Sequence, residues 1–299
     1  MEKSGDNILN TSGNISDLPS YSYTLKPQYS VHLFHFIIPS ASILSTSRLV
    51  AMTFTSSPDP IVFYDIASGP PIHPFAPNPW KTRYALNFKR ANFVTKWVDL
   101  SEITSTRKSL GAEPVRFFSD GEPFYTLPII KDTSANVVVG DSFDVAVHLD
   151  KKYTDAPSLF RHSIGLYAAF NAHIDSVFPL AAPLFAVGMP FNPETEEECK
   201  AEFCRRAGVK TWDELIIRGE TRAKVLGAFE VALKEVAKYF RFSDGPFIGG
   251  KEADYADIII GGWLMCLNQT VPEWEEIRTW HGGRWGRLHD ALEPYRGTW

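Results

Sequence analysis

Cysteine is scarce in this chain: Cys199, Cys204 and Cys266 are the only 3 among 299 residues, an odd number with no C-x-x-C pair. That excludes a disulfide framework and a cysteine-ligated zinc site, and it fits a reducing compartment. Runs of one charge are missing too. The 30 Lys and Arg are scattered, and they stand against 35 Asp and Glu for a net charge of −5. Nucleic acid is therefore not an expected partner. His32 and His35 lie three apart, but no acidic or cysteine residue joins them at ligand spacing, so no metal site is expected.

A long unbroken apolar run is also lacking. The nearest to one, Val31 to Met52, is interrupted by Pro39, several serines and Arg48, and the polar stretch before it is too long for a signal-peptide n-region. It reads either as a targeting segment or as a plain extension, with Met52 a natural start for the folded part; a membrane span is not expected. What is plentiful is apolar material, 44% of the chain with 21 Phe and 8 Trp, enough for one large domain or two smaller ones.

Residues 1–57 are rich in Ser, Asn and Pro and carry no sustained period, which predicts a disordered or poorly packed extension. The triplets NTS at Asn10 and NIS at Asn14 match the glycan acceptor pattern, which has no meaning in a cytoplasmic protein. From Ile61 the pattern changes. IVFYDI, Ile61 to Ile66, reads as a buried strand. A Gly/Pro loop leads to a helix opened by Pro77 and Pro79, with Trp80, Tyr84 and Phe88 on one face. FVTKWVDL from Phe93 is a second strand, parallel to the first across a right-handed crossover. Ile103 to Leu110 is a brief helix ended by Gly111; FYTLPIIKD and NVVVGDS form a hairpin; and Ser142 opens another helix. The order β-α-β-α-β-β-α over 60–153 is that of a thioredoxin-like α/β domain.

After Lys152 every strong signal is helical, and 159–299 is read as an all-α domain beyond a short linker near Thr154 to Ser158. Phe160 to Val187 is long and apolar, Arg222 to Phe240 carries one apolar stripe, and Asp254 to Leu267 is apolar nearly all round and so central. The polar stretch that begins at Met189 is expected to cap or cover part of the fold.

Four motifs in this order resemble the cytosolic glutathione transferases from about Pro60 to the C-terminus. They are the helix opening APNPWKTRYAL from Ala76, the pair Leu127-Pro128 resembling the family's cis-proline loop, Asp141-Ser142 at a helix start, and Asp254 with Asp257 as a capping box. The resemblance implies a thioredoxin-like N-terminal domain followed by an all-α C-terminal domain, glutathione as cofactor, a homodimer and a cytoplasmic setting. Leu127 and Pro128 would pair with the cysteinyl backbone, and Asp141 and Ser142 would receive the γ-glutamyl carboxylate at a helix N-terminus.

The helix opening looks most like the fungal-specific class A and its etherase relatives, which carry a catalytic Ser where this chain has Ala76. Alanine donates nothing, so Asn78 becomes the candidate thiolate donor; it reads equally as the N-cap with Pro79 at the first helical position. Ser68 and Tyr64 are further donors at the end of the first strand. No cysteine stands at this helix start, which disfavours thiol-disulfide chemistry. Tyr167, Phe170, His173 and Phe178, with Trp263, offer a surface for aromatic, lignin- or wood-derived ligands, or else are core. Conjugation or aryl-ether cleavage by thiolate attack, a non-catalytic ligandin, and a transferase-like protein-interaction module are the functions these residues admit.

Overall fold

Two short strands and the helix between them set the frame. The computed structural model describes residues 59–297, so the expectations for 1–57 lie outside the described residues. Strand β1 (Ile61–Ile66) pairs parallel with β2 (Phe93–Val98) across helix α1 (Pro77–Phe88). Helix α2 (Ile103–Ser109) follows, then a separate small hairpin of β3 (Arg116–Phe117) and β4 (Pro123–Phe124). Strand β5 (Ile129–Asp132) adds antiparallel to β1 and β6 (Val137–Gly140) antiparallel to β5, giving sheet order β2-β1-β5-β6, and α3 (Ser142–Lys152) packs back. The expected strand FYTLPIIKD is thus split. Its first residues pair with β3, and only Ile129 onward joins the main sheet.

The remainder is helical: α4 (Ile164–Val177), α5 (Ala182–Phe185), α6 (Glu196–Ala207), α7 (Gly219–Ala237), α8 (Tyr255–Thr270), α9 (Trp274–Ile277) and α10 (Trp280–Ala291). Phe160 to Val187 is not one helix. Pro179 and Pro183 each remove a backbone donor, so the chain passes from α4 through a 3-10 turn into α5. This stretch is long and apolar enough to cross a bilayer by composition alone, yet Ile174, Phe178, Ala181 and Leu184 are fully buried within the protein.

Helix α1 lies at the centre. Its Arg83 makes a buried ion pair with Asp65 of β1 at 2.8 Å, and the guanidinium covers the rings of Phe63 and Trp97. Its C-terminal end is held by Lys89, which donates to Asp150 of α3 at 2.9 Å and to the Ala156 and Pro157 carbonyls, so the linker is stitched to both. The other side of α1 faces α8 at close range: a Cβ on Gly262 would stand 2.6 Å from the Pro77 carbonyl oxygen, so only glycine fits there. One apolar core therefore runs from Ile61 and Phe63 through Trp80 and Tyr84 to Ile259 and Leu264.

Helix α8 begins as the sequence predicts. Asp254 is its N-cap, accepting from Ala256 N at 2.8 Å, and Asp257 reaches back to Asp254 N at 3.1 Å. Asp257 also accepts from Ile248 N at 2.8 Å, tying the preceding loop to the helix. Burial pushes this carboxyl up to about 7 against those two donors.

Candidate functional site

Two helix starts and one loop converge on one edge of the α/β module. The Leu127–Pro128 bond is cis, as its resemblance implied. The Pro128 carbonyl accepts from Asp141 N at 3.4 Å, which joins this loop to the start of α3. Asp141 takes φ +91° and ψ 132°, a region nearly confined to glycine that costs an aspartate about 1–3 kcal/mol. In that posture its carboxylate accepts from Phe143 N at 2.8 Å and caps the helix. The cap is therefore Asp141. Ser142 is the first helical residue; its carbonyl accepts from the Tyr255 hydroxyl at 2.9 Å, and its Oγ makes no hydrogen bond among the described residues. Because Asp141 takes the Phe143 N–H, the Ser142 N–H and hydroxyl are donors left here for an outside anion. Burial raises the Asp141 carboxyl above the usual range, against the Phe143 bond and the Lys81 charge.

At α1 the order is different. Ala76 is the N-cap, in extended backbone with no side-chain bond, and Pro77, Asn78 and Pro79 are the first three helical residues. Two of those three lack an N–H, so Asn78 holds the one free main-chain donor of this turn before Trp80 N bonds Ala76 O at 3.1 Å. The alternative of Asn78 as N-cap is corrected, since the helix begins one residue before it. Its Oδ1 is buried without a partner, and its Nδ2 makes no hydrogen bond among the described residues. The other candidate donors are committed elsewhere. Ser68 Oγ accepts from His73 N at 2.7 Å, and Tyr64 is buried in the sheet beneath Lys96.

Behind Asn78 lies a polar cluster that sequence reading missed. Lys81, wholly buried, donates to Asp175 at 2.6 Å and to Asn171 at 3.1 Å, both on α4, while Trp263 Nε1 of α8 donates to the same Asp175 oxygen at 2.8 Å. The one available signal was Asp175 itself, the sole carboxylate of α4.

The expected acceptor surface on α4 is corrected at Tyr167 and Phe178. Tyr167 is buried with its hydroxyl on Asp254 at 2.7 Å, supporting the cap of α8. Phe178 is fully buried and stacked on Trp263, so both are core. Phe170 and His173 meet Tyr239, His173 Nε2 at 2.8 Å from its hydroxyl. His173 lies two residues beyond Asn171, about 200° round the helix and so away from the side that reaches Lys81.

A different aromatic group adjoins the start of α1. Gly69 N donates to Pro190 O at 2.7 Å, and Phe191 joins Tyr64, Phe75, Ala76 and Leu127 in a second apolar core. Phe203 and Trp212 meet Phe191 edge-on at 6.4 and 5.5 Å. The polar stretch from Met189 thus covers the loop that leads into α1. A separate surface cleft of about 390 Å³, lined by Trp212, Ile216, Arg218 and Arg222 among others, touches none of Ala76, Asn78, Leu127 or Ser142.

Comparison with known proteins agrees with this architecture. The sequence profile described as "Glutathione S-transferase, C-terminal domain" matches residues 165–295. A crystal structure of the glutathione S-transferase CsGST63524 of Ceriporiopsis subvermispora, in complex with glutathione, is 32% identical, with a TM-score of 0.73 over 80% of this chain and 99% of that one. Glutathione transferase GSTFuA3 from Phanerochaete chrysosporium is 26% identical, with a TM-score of 0.69 over 81% of this chain and 99% of that one. The glutathione S-transferase-like protein ustS of Aspergillus flavus is 25% identical over 250 residues, 78% of this chain and 89% of that protein. The chain belongs to the glutathione S-transferase family, with the mixed-sheet and helical parts of its solved relatives.

Proposed function

We propose that this protein binds glutathione between the Leu127–Pro128 loop and the start of α3, and presents its sulfur at the start of α1 to an aromatic acceptor. The observation that carries this reading is the Pro128 O to Asp141 N contact at 3.4 Å, which sets the Leu127 backbone beside the Asp141–Ser142 helix start. An extended tripeptide pairing with Leu127 would then bring its γ-glutamyl carboxylate to the Ser142 N–H and hydroxyl. A relative 32% identical, crystallised with glutathione, supports the same ligand.

At α1 the Asn78 main-chain N–H and carboxamide are the donors left to lower the pKa of a thiol, each unit being worth about 1.4 kcal/mol. The thiolate attacks an electrophilic aromatic carbon, the C–S bond forming as a halide leaves, or the alkyl carbon of an aryl ether, whose C–O bond breaks to release phenolate, as expected of a fungal class A, etherase-related enzyme acting as a cytoplasmic homodimer. The absence of any side-chain hydroxyl at Ala76 favours a second reading, a ligandin that holds glutathione and polyphenols with slow turnover.

Thermal unfolding of the full chain with and without millimolar glutathione tests the reading. Ligand in excess of its Kd must raise the midpoint by mass action. The wild type is expected to shift, Ser142→Ala to shift less, and Asn78→Ala to keep the shift while losing turnover of an aryl halide. A wild type that glutathione leaves unmoved sinks both readings.

A further inference from the structure

Arg107 of α2 is one of the most buried cations in the protein, 3% exposed, and among the described residues no carboxylate hydrogen-bonds to it. Its Nη1 donates to the Thr126 carbonyl at 2.5 Å and its Nη2 to the Glu113 carbonyl at 2.7 Å; its Nε is buried without a partner. Thr126 immediately precedes Leu127. The same guanidinium lies against Gly140, where a Cβ would stand 2.8 Å from Nη2, and Gly140 immediately precedes Asp141. One side chain therefore touches both backbone segments that enter the proposed glutathione site.

A structural brace alone does not account for this arrangement. Carbonyl dipoles can be held by a neutral donor, whereas burying a charge without an ion pair costs several kcal/mol. The field of Asp141 favours the charged guanidinium against the effect of burial. Yet Asp141 spends its carboxylate on the first turn of α3, and its own burial favours the protonated form. The loop and the start of α3 thus share one buried cation, Arg107, which no carboxylate hydrogen-bonds, beside the remaining α3 donors. A ligand carboxylate would balance it.

We propose that Arg107 is a positioning residue for glutathione. Its guanidinium holds the Thr126–Pro128 loop and the Gly140–Ser142 turn at the spacing the tripeptide spans, and its charge favours a carboxylate lodged between them. The proposal rests on the glutathione reading above.

The test uses calorimetric titration of the full chain with glutathione, and steady-state turnover of 1-chloro-2,4-dinitrobenzene, for wild type, Arg107→Met, Arg107→Lys and Gly140→Ala. Arg107→Met is expected to weaken glutathione binding about tenfold or more, the scale of a lost charged hydrogen bond. Its KM for glutathione should rise in parallel, with kcat at saturating glutathione within about twofold of wild type. Arg107→Lys keeps the charge without the fork and should fall between the two; Gly140→Ala, which displaces the guanidinium, should resemble it. A brace with no part in binding would lower kcat through loss of folded protein and leave KM unchanged, and that pattern overturns the proposal. If Arg107→Met does not fold, Arg107→Lys decides, since affinity equal to wild type in that variant overturns the proposal as well. A wild type that binds while every variant binds equally leaves the glutathione reading standing and removes Arg107 from it. A wild type that does not bind removes both.

Discussion

The two helix starts that meet at this site are built by opposite means. Helix α3 is closed by its own cap: Asp141 accepts a strained backbone at φ +91° so that its carboxylate can take Phe143 N. Helix α1 has no side-chain cap. Pro77 and Pro79 delete two donors, and what holds it is packing from behind, through Arg83 on Asp65, Lys81 on Asp175 and the close approach of Gly262. A helix stabilised along its length can leave its first turn open. In the proposed glutathione reading, that difference separates a start that orients the ligand's carboxylate from one that receives its sulfur.

Removing the support behind α1 has the largest expected effect. Arg83→Met leaves Asp65 fully buried without its cation, and the loss should be about 3–5 kcal/mol, read as a lower denaturant midpoint. The corresponding loss at α3 should be far smaller.

Giving α1 the kind of start that α3 has should sharpen the contrast. Ala76→Ser supplies a hydroxyl where the N-cap now has none, and Asn78 N–H is its one available main-chain donor in the first three residues. Stability should rise by about 1 kcal/mol. Aryl-halide turnover should rise by about 10²-fold if the same hydroxyl serves the sulfur. A gain in stability without a gain in turnover would leave the ligandin reading the better one.

At α3 the complementary change is Asp141→Gly. Glycine adopts the positive φ freely and costs only a few tenths of a kcal/mol as a cap, so stability should stay level or rise by about 1 kcal/mol. Glutathione affinity should fall, because the freed N–H groups lose the orientation that Asp141 imposes. A drop in stability comparable to that of Arg83→Met would show that α3 depends on its cap as heavily as α1 depends on the support behind it.

The remaining prediction is a slope, not a level. Asp257, capping α8, is held at about 7 by burial, whereas the unfolded chain's carboxylate titrates near 4. Between those values the folded protein keeps a proton that the unfolded chain has released, so this group makes stability fall as pH rises from about 4 to about 7. Asp257→Asn should flatten that part of the pH profile, measured by unfolding at several pH values. The level drops for the lost Asp254 or Ile248 bond, but the slope is the readout.

What could be read from the sequence was local. Ile61 to Ile66 declared a strand because adjacent β-branched and aromatic residues favour one, and Asp254 with Asp257 declared a helix start because the two partners are three residues apart. Of the site itself, Pro77 and Pro79 were visible for the same reason, whereas Leu127-Pro128 and Asp141-Ser142 were visible through the family resemblance. Lys81 and Arg107 were not, since nothing in a lysine or an arginine says that it will be buried. Lys81 meets Asp175 across 94 positions and Arg107 meets Thr126 across 19. Tyr167 was misread as a ligand surface because its hydroxyl finds Asp254 only when α4 and α8 are packed.

By itself, then, the sequence determined where helices and strands begin and end, through caps, prolines and apolar periods that act between neighbours in the chain. Tertiary structure alone decided which cations lose their water, which aromatics become core, and which helix start stays open. Desolvation and ion pairing depend on what the far parts of the chain bring alongside, and no local pattern encodes that.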